Sequence, residues 1–150
     1  MSDFAARRLM MVDTQVRPSD VTKFPIIDAM LSVPRELFVP RAVKESAYIG
    51  ENCNLTANRV VLEPRTLAKM LDALDIQRNE LVLDIGSGLG YSSAVIARMA
   101  NSTKALPSLA LLRSPLSSPG LPQGCCRDRT GRGFCVFAYW HRDQLLHGGD

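Results

Sequence analysis

The sequence lacks most features that mark secreted, membrane-spanning or disulfide-rich chains. It has no run of 18 apolar residues, which excludes a transmembrane helix, and its start has no charged segment followed by an apolar one, which argues against a secretion signal. Only four of its 150 residues are cysteine, which does not suggest a disulfide framework in a chain without such a signal. We therefore expect a reduced, cytoplasmic protein that does not contact a membrane.

An excess of one charge is also missing. The chain has 18 basic and 15 acidic residues, a net charge of +3, and no Lys/Arg cluster of the kind that nucleic-acid surfaces need. Arg127, Arg129 and Arg132 are close in sequence, but Asp128 stands among them and a solvated loop is the simpler interpretation. We expect no nucleic-acid partner. The hydrophobic fraction of 46% is enough to form the core of about one domain.

The last fifty residues lack residue types that the first hundred use freely. All five Glu, all six Ile and all six Met precede residue 101, whereas both His and three of the four Cys follow it. Pro, Gly and Ser break regular structure in this tail, so we expect residues 101–150 to be irregular or disordered. An out-of-frame reading of a GC-rich gene, or truncation, after about residue 100 is one hypothesis, and a natural disordered tail is the other. The segment 134–140 is apolar enough for a strand but has no obvious partner.

The metal-binding residue types of the tail do not have the spacing of a metal site. Structural zinc ligands recur as two cysteines separated by about two to four residues. Cys125 and Cys126 are adjacent instead, Cys135 follows nine positions later, and His141 and His147 lie further on. We expect no bound metal.

The apolar spacing before residue 80 predicts mainly helices. A helix is expected over residues 3–16 and a second one through 26–31, capped by Ser19 or Asp20. Residues 33–40 form a proline-bracketed connector, 42–48 a short helical turn and 50–58 a polar loop. Pro64 can begin an amphipathic helix that ends near Leu74.

A strand, a glycine loop and a helix follow one another between residues 81 and 100. Leu81–Ile85 is a short apolar run typical of a buried parallel strand, and Tyr91–Ala100 is an apolar helix. Between them lies G-S-G-L-G, residues 86–90, where missing side chains allow a tight turn and the close approach of a ligand. The helix N-terminus adds free N–H donors and partial positive charge. This order is the opening of a Rossmann-like unit.

The glycine spacing separates two kinds of nucleotide cofactor. A dinucleotide fingerprint places a third small residue where this chain has Tyr91, so an NAD-dependent oxidoreductase is the disfavoured alternative. Asp84 followed by alternating glycines resembles instead the first motif of S-adenosyl-L-methionine (AdoMet)-dependent methyltransferases. That resemblance implies that five residues bind the cofactor: Asp84, Gly86, Ser87, Gly88 and Gly90.

The residues before this motif resemble the protein-L-isoaspartate O-methyltransferase family. Val33–Pro40 reads V-P-R-E-L-F-V-P and is similar to that family's P-R-x-x-F-V signature, Ala47-Tyr48 follows at the family's interval, and Pro64 stands where the family has its lid. The resemblance implies an AdoMet-dependent protein carboxyl O-methyltransferase that transfers a methyl group to isoaspartyl residues of damaged proteins, a protein-repair activity. The substrates would be isoaspartyl-containing peptides or proteins.

The chain departs from the family at two places. Matching on Pro64 makes Val61, Leu62 and Glu63 the lid candidates, and Leu62 replaces the family's Ser, which indicates a divergent branch. The region about 20 residues past the glycine loop has no acidic residue to hold ribose hydroxyls, because none occurs between Asp84 and Asp128. We therefore predict that this chain binds AdoMet poorly or not at all and that its activity is impaired. An inactive remnant or interaction protein is the non-enzymatic alternative.

Together these observations predict an incomplete α/β fold. Residues 1–78 would form an N-terminal helical and lid region, 79–100 the first strand, glycine loop and helix of the Rossmann-like methyltransferase domain, and 101–150 the irregular tail. The sequence does not specify the oligomeric state.

Overall fold

The fold combines N-terminal helices with a small, mostly parallel sheet. The computed structural model describes residues 3–57, 59–106, 125–127 and 133–138. Its α-helices are α1 (Phe4–Met11), α2 (Phe24–Ser32), α3 (Pro64–Leu74) and α4 (Tyr91–Met99). Its strands are β1 (Cys53–Thr56), β2 (Arg59–Val61), β3 (Leu81–Ile85), β4 (Ser102–Leu106), β5 (Cys125–Arg127) and β6 (Gly133–Ala138). The prediction of an α/β chain is confirmed.

The first predicted helix is present but continues further than expected. The Asp3 carboxylate caps α1 by accepting the amide N–H of Ala6 at 3.1 Å. A π-helical turn over Val12–Val16 and a 3-10 turn over Arg17–Ser19 extend the helical path past Pro18. Proline is tolerated there because a backbone N–H in the first turn of a helix has no acceptor within the helix, so its absence loses no hydrogen bond. The path ends at Asp20, which is left-handed with φ of 62°.

The predicted cap of the second helix is wrong. Lys23, not Ser19 or Asp20, precedes α2, and Pro25 occupies its first turn. The Ser19 hydroxyl donates to the carbonyl of Val16 at 2.6 Å, and Asp20 serves the end of the preceding turn. Both candidate caps are therefore engaged by the preceding turn and do not cap α2.

The segment predicted as a polar loop over residues 50–58 contains a strand. β1 pairs with β2 in antiparallel register, Cys53 opposite Val61, and the two strands form a hairpin that leads into α3. Cys53 and Val61 are both buried, so one face of the hairpin has an apolar anchor at its base. Tertiary packing buries these two side chains, which the polar composition of residues 50–58 did not indicate.

The sheet is built around β3. Strands β4 and β6 lie on either side of it, both parallel to it, and β5 pairs antiparallel with β6, which gives the order β4-β3-β6-β5. The three strands in residues 101–150 differ from the irregular structure expected there, and the rest of that tail lies outside the described residues. The central strand therefore has two neighbours, because the apolar segment 133–138 supplies the partner that the sequence did not reveal.

One hydrophobic core joins the helices to the first strand of the sheet. Helix α2 packs against α4, and α3 contacts the π-helical turn. The core includes Val12, Met30, Leu67, Val82 and Ile96, each at most 1% exposed. The three-part division of the chain at residues 78 and 100 remains a prediction. In the described part of the chain, no helix is both long enough and apolar enough to cross a bilayer.

Candidate functional site

The glycine loop forms a hooked backbone at the carboxyl end of β3. Gly86, Gly88 and Gly90 have φ of 82°, 57° and 93°, in the left-handed region that residues with a side chain rarely adopt. A Cβ at Gly88 would lie 2.8 Å from Cδ1 of Leu55, so the β1–β2 hairpin packs directly on the loop. The alternating glycines therefore provide both the turn and the space for a close neighbour.

The loop closes on the N-terminus of α4. The amide of Gly90 donates to the carbonyl of Ser87 at 2.8 Å, and the Gly90 carbonyl accepts from Ala94 at 2.9 Å. Gly90 is the cap residue and has no side chain to bond the first amides of the helix. Those amides and the positive end of the helix dipole are available to a ligand at the loop.

Asp84 is fully buried at the end of β3 and keeps one unused oxygen. Its Oδ2 accepts hydrogen bonds from the hydroxyls of Ser92 at 2.7 Å and Ser93 at 2.5 Å. Its Oδ1 has no hydrogen-bond partner among the described residues, and neither has the buried hydroxyl of Ser87. Burial raises the pKa of Asp84, and the two serine hydrogen bonds partly oppose this. The site therefore offers a buried acceptor and a buried hydroxyl beside the glycine backbone.

The lid candidates lie between the hairpin and α3. Val61 ends β2 and is buried, Leu62 is half-buried, and Glu63 immediately precedes the first helical residue, Pro64. The Glu63 amide donates to Oδ1 of Asn52 at 2.8 Å. The Glu63 carboxylate accepts the Thr66 hydroxyl at 2.6 Å, so it is engaged by the first turn of α3.

Arg35 is the site residue that sequence reasoning missed. It is fully buried, and its guanidinium donates from Nε to the Ala47 carbonyl at 2.6 Å and from Nη2 to the Leu62 carbonyl at 2.7 Å. Its Cζ lies 4.8 Å from the ring centroid of Tyr91, the first residue of α4. The side chain thus connects the lid candidates to the end of the glycine loop, although the sequence showed it only as part of a signature.

Tyr91 stands at the position of the third glycine in a dinucleotide fingerprint, and its buried ring fills the space that a glycine would leave open. Its ring is 2% exposed, packs against Phe38 at 5.8 Å between centroids, and faces the Arg35 guanidinium. Burial raises its pKa to about 12, against the opposing effect of Arg35, so the phenol is neutral at physiological pH. Its hydroxyl has no hydrogen-bond partner within the part of the chain that the structure describes.

The structure brings the five predicted cofactor residues together and adds two serines to them. Ser92 and Ser93 follow Asp84 by eight and nine residues, in the first turn of α4, and a Ser-Ser pair one residue past the glycine loop was the available signal. The described residues contain no group of three His, Cys, Asp or Glu that could hold a metal. His141 and His147 lie outside the described residues.

Comparison with known proteins gives a consistent match over most of the chain. The family model of protein-L-isoaspartate(D-aspartate) O-methyltransferase matches residues 8–110. A protein-L-isoaspartate O-methyltransferase of Syntrophus aciditrophicus is 38% identical over 112 residues, which are 75% of this chain and 51% of the relative. One of Methylorubrum extorquens is 35% identical over 123 residues, 79% of this chain and 54% of the relative. The chain thus spans about half the length of these curated relatives.

A solved structure supports the same fold. A Plasmodium falciparum protein described as a putative protein-L-isoaspartate O-methyltransferase, in complex with S-adenosyl-L-homocysteine, superposes with a TM-score of 0.52 at 15% identity. The superposition covers 70% of this chain and 48% of that one. From the fold, the hooked glycine loop and the match over residues 8–110, we conclude that the chain belongs to the protein-L-isoaspartate(D-aspartate) O-methyltransferase family.

Proposed function

We propose that this chain provides the glycine-loop half of an AdoMet site in a protein carboxyl methyltransferase that acts on isoaspartyl residues. The observation that carries the proposal is the unpaired Oδ1 of buried Asp84 beside three glycines at positive φ. A buried acceptor without a donor lowers the stability of the folded chain by about 1–3 kcal/mol. A ligand that supplies the donor would explain why the chain has such an acceptor here. Neither alternative, an NAD-dependent oxidoreductase or a non-enzymatic remnant, has an observation in its favour.

The residues at the loop fit the chemical groups of AdoMet. Gly86, Gly88 and Gly90 give the loop its hooked backbone, and the methionine part of the cofactor would lie against it on the side away from Leu55, which fills the space beside Gly88. Asp84 Oδ1 is placed to accept from an ammonium group, directly or through water, and Ser87 offers a second polar contact. The free amides at the start of α4 suit the cofactor carboxylate. When bound, AdoMet supplies a methyl group on a positively charged sulfur.

The transfer needs little acid or base assistance from the chain. A substrate carboxylate is ionised at neutral pH and is therefore already a nucleophile. The protein therefore needs only to align the substrate carboxylate oxygen with the methyl carbon of the cofactor and to exclude water. The hairpin packed on Gly88 and the apolar side chain of Leu62 suit that second task. The methyl ester formed on an isoaspartyl residue closes spontaneously to a succinimide, because the neighbouring backbone amide nitrogen attacks the ester carbonyl and methanol leaves.

Two departures limit the affinity and the choice of substrate. The end of β4 offers no acidic side chain for the ribose, because the chain has none between Asp84 and Asp128. We therefore expect AdoMet to bind more weakly than micromolar. At the lid, the Thr66 hydroxyl holds the Glu63 carboxylate at the start of α3. A carboxylate at this position would repel an anionic substrate. A cytoplasmic location belongs to the same proposal, since the buried, free thiol of Cys53 suits a reducing compartment.

Photocrosslinking tests the cofactor site. Irradiating the chain with radiolabelled AdoMet and mapping the labelled peptides should place label on residues 84–91, competed by S-adenosyl-L-homocysteine. Asp84→Asn should lower the labelling about tenfold through loss of a charge-assisted hydrogen bond. Gly50→Ala, in an exposed turn with room for a methyl group, is the matched control and should label like the parent chain. Equal labelling of the Asp84→Asn variant and the parent chain would contradict the proposed site.

A pair of peptides tests the substrate. Two peptides of one sequence, with an isoaspartyl or an ordinary aspartyl residue, are incubated with the chain and methyl-labelled AdoMet. We expect slow, base-labile methyl incorporation that is confined to the isoaspartyl peptide. Equal incorporation into both peptides, or none into either under conditions that give crosslinking, would refute the substrate assignment.

A further inference from the structure

We infer that Arg35 is a positioning residue that holds the β1–β2 hairpin and the lid residue Leu62 against the first residue of α4. It would thereby keep the glycine loop and the segment covering it in one fixed geometry. The inference rests on the proposed function, because it assigns the loop to a cofactor and the hairpin to its cover.

The guanidinium reaches both ends of the hairpin. Nη2 donates to the Leu62 carbonyl at 2.7 Å, directly after β2, and lies 3.9 Å from Sγ of Cys53, the first residue of β1. Nε donates to the Ala47 carbonyl at 2.6 Å. One side chain therefore fixes where the hairpin leaves the fold and where it returns.

The same guanidinium also contacts the glycine loop side of the site. Its flat face lies over the Tyr91 ring at 4.8 Å, a distance typical of cation–π contact. Tyr91 follows Gly90, and the hairpin side chain Leu55 reaches Gly88. The hairpin and the loop are thus joined twice, once at the base through Arg35 and once near Gly88 through Leu55.

The bonding of Arg35 is unusual for a buried cation. In the described part of the chain no carboxylate forms an ion pair with it, and its Nη1 has no hydrogen-bond partner. Two main-chain carbonyls and an aromatic face compensate the charge instead. Such an arrangement needs the planar, five-donor fork of arginine, which lysine cannot reproduce. A residue needed only for packing would be served equally well by an apolar side chain of similar volume.

Hydrogen exchange of the full chain tests the inference without requiring the cofactor. Arg35→Lys keeps the charge but loses the fork, and Arg35→Met keeps the volume but loses the charge. In both variants we expect amide exchange in segments 52–63 and 86–94 to accelerate about tenfold, the size expected for losing one charge-assisted hydrogen bond. Segment 24–32, in α2, should stay within about twofold of the parent chain. Arg8→Lys, which alters a partly buried guanidinium away from the lid, should leave segment 86–94 unchanged.

Two results would overturn the inference. One is a uniform acceleration along the whole chain in both variants, which would make Arg35 a general stability residue. The other is unchanged exchange at 86–94, which would uncouple the hairpin from the loop. Titration with S-adenosyl-L-homocysteine separates this from the proposed function. If the parent chain binds none, the cofactor proposal fails while the exchange pattern still decides the role of Arg35. If it binds, Arg35→Lys should weaken binding about tenfold.

Discussion

Two buried polar clusters contain the neighbouring residues Arg35 and Glu36 but differ in how completely they are paired. In the first, Arg8 forms an ion pair with Glu36 at 3.4 Å, Nε of Arg8 donates to the Tyr48 hydroxyl at 3.0 Å, and that hydroxyl donates to Glu36. In the second, around Arg35 and the glycine loop, four buried side-chain atoms have no hydrogen-bond partner among the described residues. They are Asp84 Oδ1, Ser87 Oγ, Tyr91 Oη and Arg35 Nη1.

Under the proposed function, the difference separates residues that serve the fold from residues that would serve the cofactor. Fully paired polar groups stabilise one arrangement of α1, the connector over residues 33–40 and Tyr48, whereas unpaired buried atoms lower stability unless something binds them. Arg35 and Glu36 are neighbours in the chain, yet each belongs to a different cluster. Four sets of variants test this separation, and their expected effects fall from the first to the last.

Breaking the paired cluster should have the largest effect on stability. Glu36→Gln leaves the partly buried guanidinium of Arg8 without its counter-charge, and we expect a loss of about 2–3 kcal/mol in the free energy of unfolding, measured with urea. The double variant Arg8→Met with Glu36→Gln should recover part of that loss, because the uncompensated charge is gone. If the double variant loses the full sum of the two single effects, the pairing is not what stabilises this cluster.

Straining the glycine loop should have an intermediate effect. Gly90→Ala forces a side chain onto a backbone with φ of 93°, which should cost about 1–3 kcal/mol in the free energy of unfolding. Gly50→Ala is the matched control, because the nearest atom to its new Cβ is Gln15 Cδ at 3.7 Å and its φ is not positive. We expect that control to be neutral or slightly stabilising. Equal losses in the two variants would remove the conformational argument for the loop.

Removing the charge of Asp84 should affect the ligand more than the fold. Its pKa is raised by burial, so the folded chain resists ionisation and loses stability as pH rises above the ordinary Asp value of about 4. Asp84→Asn does not titrate, and its stability relative to the parent chain should therefore grow as the pH rises above that value. Unfolding measured at several pH values checks the sign. A parent chain that gains stability over Asp84→Asn as pH rises would show that Asp84 serves the fold.

An exposed ion pair supplies the smallest expected effect. Arg98 and Asp28 are about half exposed and their charged atoms lie 3.9 Å apart. Arg98→Ala should change the free energy of unfolding by less than about 0.5 kcal/mol, and added salt should not alter that result. If Arg98→Ala lowers the free energy of unfolding by more than about 1 kcal/mol, ion pairs stabilise this chain even where water competes. Pairing would then not distinguish the two buried clusters from the surface.

The local parts of the fold and site could be predicted from the sequence. Leu81–Ile85, the alternating glycines and the helix from Tyr91 were all visible, because an apolar run, missing side chains and helical spacing act within a few residues. Gly86, Gly88 and Gly90 have positive φ for the same local reason. The family signature at Val33–Pro40 was visible as well, although not what its arginine contacts.

Only the tertiary structure decided the contacts between segments that are distant in the sequence. Arg35 bonds to Leu62, 27 positions away, and to the ring of Tyr91 on another element. The hairpin appeared in a segment that looks polar, and β6 became the neighbour of β3 across many residues. The sequence by itself determined the hooked loop, since glycine adopts that backbone far more readily than residues with a side chain. Which side chains surround the loop depends on long-range packing, which no local pattern of residues encodes.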